Sequence, residues 1–69
     1  MHLTYRETEV LQLIIQEYTS KEIAELLHVS HETVVSHRKN LMCKLNAKNT
    51  AGLVSKAYQS GIVHARYLT

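Results

Sequence analysis

Two copies of the pattern T-x-x-E, Thr4-x-x-Glu7 and Thr19-x-x-Glu22, each open an apolar run and constrain the chain more than any other feature. In such a box the threonine hydroxyl accepts from the glutamate N–H while the carboxylate reaches back to the threonine N–H, so each marks a helix start. Ser30, which can accept from the N–H of Thr33, and Asn49 supply two further caps. No proline interrupts the chain and no β-branched residues alternate strictly, so no strand is expected. The expectation is an all-α fold of four helices, at about 4–17, 19–28, 30–45 and 49–60.

The apolar spacing then assigns faces. In the first helix Val10, Leu11, Ile14, Ile15 and Tyr18 fill an arc of about 140°, with Glu9, Gln12 and Gln16 opposite and Leu13 outside the stripe. Ile23, Ala24, Leu26 and Leu27 form the apolar side of a short second helix, with Tyr18 spaced to staple onto Ile23. In the third, Val34, Leu41 and Leu45 fall within about 40° of one another, and Val35, Ser36, Lys39, Asn40 and Cys43 lie on the other side. Val29 is spaced to pack on Val34, and Asn46 tolerates the left-handed conformation that follows a helix end. The link His28-Val29 is too brief for helices two and three to lie antiparallel, which gives a helix-turn-helix with no wing. In the fourth helix Leu53 and Ala57 share one edge of the apolar arc and Val54 and Tyr58 the other, with Ser55, Lys56 and Gln59 behind. Gly61 ends it, and the tail from Ile62 to Thr69 shows no periodicity.

Size and charge bound the function. A chain of 69 residues makes one domain, 1–69, too small for a large enclosed cavity. No serine or cysteine has a base at recognisable spacing, so an enzyme is not expected. No apolar run approaches the roughly 20 residues that span a bilayer, no signal peptide is evident, and the single Cys43 suits a reducing compartment, so a cytoplasmic location without membrane contact is expected. No two of His28, His31, His37 and Cys43 have the i, i+4 spacing of a helical zinc pair, and His64 has no evident partner, so neither metal nor cofactor is expected. All six acids, Glu7 to Glu32, precede residue 33, whereas Arg38, Lys39, Lys44, Lys48, Lys56 and Arg66 follow it with no acid among them. A half-chain of one sign is a footprint for a polyanion.

If helix three enters a DNA major groove, Lys39 can donate to guanine, Ser36 can address either base type, Val35 can touch a thymine methyl and Asn40 can read adenine. Glu32 can accept from cytosine or simply favour the positive helix N-terminus. Lys21, Arg38, Lys44 and Lys48 are placed to neutralise phosphates. The rival reading is a helical protein-interaction module whose fourth helix and basic third helix engage an acidic partner. RNA is disfavoured because no exposed aromatic platform is evident for stacking bases.

The run Leu3-Thr4-x-Arg6-Glu7-x-Glu9-Val10-Leu11, then Lys21-Glu22-Ile23-Ala24-x-x-Leu27, Ser30-x-x-Thr33-Val34-x-x-His37, Lys44-Leu45 and Gly61, resembles the LuxR/NarL/GerE-type DNA-binding domain over residues 3 to 62. The resemblance implies the C-terminal effector of a longer bacterial response regulator or quorum-sensing regulator, binding double-stranded DNA. Carried over by position, base reading falls on Val35, Ser36 and Lys39, and phosphate contacts on Lys21, Ser30, Thr33, Asn40 and Lys44. The resemblance also implies a homodimer on DNA through helix four, here at Ala51, Val54 and Tyr58, and RNA polymerase as a further partner. The chain departs from the family's pattern at Glu17 and His28, which stand where glycine is common in two turns. Val35 replaces a frequent lysine, and Gly52 replaces a common acid and allows another backbone to come close.

Overall fold

The computed structural model describes residues 2–63, so Met1 and residues 64–69, with His64 and Arg66, lie outside the described region. Four helices follow in order, α1 (Tyr5–Ile15), α2 (Ser20–Leu27), α3 (His31–Lys44) and α4 (Thr50–Gln59), and no strand occurs among the described residues. The fold is the expected all-α one. Each helix starts at an expected cap: Thr4 and Thr19 form complete capping boxes, and Ser30 and Asn49 accept from Thr33 N–H at 3.1 Å and Gly52 N–H at 2.8 Å.

The helix ends share one device. Glu17, His28, Asn46 and Gly61 take positive φ of 71°, 57°, 54° and 78°. At each end the next residue's N–H bonds back across the turn, Tyr18 to Leu13 O, Val29 to Ala24 O, Ala47 to Met42 O and Ile62 to Ala57 O, at 2.8–3.1 Å. These are Schellman closures, which satisfy carbonyls the helix leaves unpaired. Because the closure needs the residues after the last helical one, the ordered segments outrun the helices, and α1 ends at Ile15 rather than near Glu17.

The core is built from Val10, Leu11, Ile14 and Ile15 of α1, Ile23 and Ala24 of α2, Val34 and Leu41 of α3 with Leu45 at its end, Leu53 and Ala57 of α4, and Val63. Burying each of the larger side chains contributes about 1.5–3 kcal/mol. Helix α3 packs against α1, α2 and α4. Val34, Leu41 and Leu45 form the inward seam expected from their spacing.

Four expectations need correction. Tyr18 is not part of the buried stripe of α1; it follows the helix end and is 38% exposed. Leu26 is 51% exposed, because Ile23, Ala24 and the half-buried Leu27 already seat the two turns of α2 on the core. Val63 is buried despite the tail's lack of periodicity, since the Gly61 turn folds Ile62 and Val63 back onto α4. No other backbone approaches Gly52: an added Cβ would meet only the Asn49 side chain at 3.4 Å and the Ala47 Cβ at 3.9 Å.

Candidate nucleic-acid interface

Helix α3 is fixed at both ends and on three sides before any ligand is considered. Its start is held by Ser30, whose Oγ lies 2.8 Å from Thr33 Oγ1 and also accepts the Thr33 N–H. Its end is held by Lys56 of α4, whose Nζ donates to the Asn46 carbonyl at 2.7 Å. With the inner seam buried, the outward face carries Val35, which is 42% exposed, and exposed Ser36, Lys39, Asn40 and Cys43. These side chains come one and three or four residues apart, so they form a single stripe along the helix. Glu32 lies in the first turn of α3, exposed, where its charge meets the positive end of the helix. His37 is half-buried at the edge of the seam, as its position suggests, and Cys43 is a free, exposed thiol.

The basic side chains fall into two groups. Lys21 on α2, Lys39 on α3 and Lys48 before α4 are exposed and make no ion pair among the described residues. Arg38 and Lys44 are engaged inside the domain instead. Arg38 Nη2 donates to Thr50 Oγ1 at 2.7 Å, tying α3 to the first residue of α4. Lys44 Nζ lies 2.7 Å from Glu7 Oε1 and 3.2 Å from the His2 carbonyl, tying α3 to α1. Glu7 is 3% exposed, and its Oε1 also accepts the Thr4 N–H at 2.9 Å. The Lys44 ammonium, then the Thr4 amide, hold the Glu7 carboxyl below the ordinary glutamate range against burial, which pushes the other way.

That ion pair is what the sequence reading missed, although a signal was present. Glu7 precedes Val10, Leu11 and Ile14 by helical intervals, so it lies on the buried face as well as in the cap. On α4, Ala51 is exposed while Val54 and Tyr58 are half-buried against the core. The Tyr58 hydroxyl is buried without a hydrogen-bond partner among the described residues. No group of three or more His, Cys, Asp or Glu residues that could hold a metal occurs among the described residues. No helix among them is long and apolar enough to cross a membrane.

Four capped helices, the second and third joined by a tight turn and the third offering a polar stripe outward, define a helix-turn-helix module. Residues 1–57 match the GerE family of bacterial regulatory proteins, luxR family. The chain belongs to that family. The spore germination protein GerE of Bacillus subtilis is 42% identical over 59 residues, covering 86% of this chain and 80% of GerE. The transcriptional regulatory protein MctR of Rhizobium johnstonii is 48% identical over 61 residues, covering 88% of this chain but only 28% of MctR. Among solved structures, the Vibrio cholera VqmA–ligand–DNA complex superposes with a TM-score of 0.82 at 31% identity, covering 88% of this chain and 27% of VqmA.

Proposed function

We propose that this domain binds double-stranded DNA sequence-specifically as part of a bacterial transcriptional regulator, with α3 in the major groove. The observation that carries the reading is the outward stripe of α3, held rigid by a cap, a buried seam and three packed helices. Support comes also from family membership and from likeness to VqmA, which has been solved with DNA. On this reading Val35, Ser36 and Lys39 read base edges. Lys21, Ser30, Thr33, Asn40 and Lys48 contact the phosphate backbone. Arg38 and Lys44 would have to leave Thr50 and Glu7 to reach phosphate, so we assign them first to holding α3 in place. A homodimer on DNA through α4 uses exposed Ala51 and the outer edge of Val54, with Tyr58 backing them from the core. Such a regulator acts in the cytoplasm, alongside RNA polymerase.

Salt titration of duplex binding tests the electrostatic half of this assignment. Lys48→Ala weakens all sequences alike and flattens the dependence of log K on log salt by about one unit. Lys39→Ala instead costs about 1–3 kcal/mol on the preferred sequence and little on others. Parent-like binding by both variants would remove α3 from the groove.

A further inference from the structure

We infer that the outer surface between α1 and α2 is a second interaction site, which takes a basic amphipathic helix of another protein. Two adjoining depressions of about 280 and 290 Å³ share Tyr18 and Leu26 as walls, so they form one continuous groove. Leu13 and Leu27 extend its apolar floor, and Tyr18 and Leu26 are 38% and 51% exposed. Of the four large hydrophobic residues most exposed among the described ones, two meet here, while Val35 belongs to the stripe of α3 and Tyr5 stands apart at the start of α1.

The rim selects the occupant. Glu9, Glu22 and Glu25 line the groove, and no lysine or arginine does. Glu9 is partly offset by Arg6 at 3.6 Å and Glu22 caps Thr19 at 2.8 Å, but Glu25 makes no ion pair or hydrogen bond with another described side chain. Such a rim repels phosphate, which excludes nucleic acid and an anionic membrane surface, and it attracts a cationic partner. Among the described residues there is no sheet edge to accept an added strand, so a groove between two helices takes a helix. Leucine-type anchors at i, i+3 or i+4 then fill the floor between Tyr18 and Leu26, and flanking lysines or arginines meet the glutamates. No α3 side chain lines the groove, so it is open whether or not α3 is occupied.

The test uses the isotope-labelled chain and a synthetic peptide of about 14 residues with leucine at helical spacing and lysine elsewhere. Titration should shift the amides of Tyr18, Glu22, Glu25 and Leu26 and leave those of Ser36 and Lys39 still. Leu26→Ser, whose exposed position keeps the fold, should weaken the peptide at least about tenfold, and Glu25→Lys should weaken it further at low salt. Duplex DNA binding by Leu26→Ser should match the parent. No binding, shifts elsewhere, or equal binding of a scrambled peptide of the same composition would overturn the inference. So would tighter binding of the peptide with glutamate in place of lysine, or self-association in sedimentation that Leu26→Ser abolishes, which would make a second copy the occupant.

Discussion

Glu7 is the one charged residue buried among the described residues, and it does two jobs with one carboxylate. Its Oε1 completes the cap of α1 and also holds Lys44 of α3 at 2.7 Å, so the end of α3 is fastened to the start of α1. Glu7→Gln keeps the shape and loses the charge, and should destabilise the fold by about 1–2 kcal/mol at neutral pH. That is less than a fully buried pair because the Lys44 side chain remains 35% exposed. Since the folded carboxyl titrates below the ordinary glutamate range, its contribution is complete above that range and is lost as pH falls from it through the lower folded value. Urea unfolding should therefore show the gap between parent and Glu7→Gln closing below about pH 4. Glu17 and His28 carry positive φ without being glycine, which costs roughly 1 kcal/mol each. His28→Gly should raise stability by up to about 1 kcal/mol in the same assay, and a loss would show that the His28 side chain contributes more than its backbone costs. These two turns were legible only through the family resemblance, which places Glu17 and His28 where glycine is common. The ion pair was not, because the capping box already explained Glu7 and nothing local to Lys44 names a partner 37 residues away.

At the scale of elements, the four starts were legible to the residue and the ends were not. A cap is a local bond between a side chain and an amide three residues on, so sequence alone can specify it. The Schellman ends depend on the chain turning back, and only the Asn46 and Gly61 closures announce themselves by residue type. Face assignment also had a limit: periodicity places Leu26 on the apolar side of α2 but cannot tell whether the fold supplies anything to cover it. The structure leaves it open, beside Tyr18. Helix α4 has the least complete start, because Asn49 caps it but Gly52 occupies the position where an acid would return the bond. Gly52→Glu should stabilise by about 1.5 kcal/mol, through helix propensity and the completed box. Gly52→Ala should gain only the propensity part, since its Cβ meets nothing closer than 3.4 Å. Thermal unfolding of the pair separates the two contributions; equal gains would mean that no box forms.

Across the whole molecule, the charge split read from the sequence becomes a division of surfaces. Glu9, Glu22 and Glu25 rim the groove around Tyr18 and Leu26, while Lys39 and Lys48 lie exposed on and after α3. On the two proposed readings the domain meets DNA through α3 and a cationic protein at the groove, whose lining holds no α3 side chain. Pairing on DNA through α4 predicts that Val54→Asp, at a half-buried position, keeps one-to-one binding but loses the second copy on a two-half-site duplex, as read by sedimentation. Two-to-one binding by a folded Val54→Asp domain would move the dimer contact off α4. The central claim, that α3 reads the major groove, is tested most directly by selecting bound sequences from a random duplex pool with the parent and with Lys39→Ala. The account predicts that the parent enriches a defined half-site and that Lys39→Ala enriches the same site with one guanine position relaxed. An unchanged motif from the variant, or no motif from the parent, would contradict it.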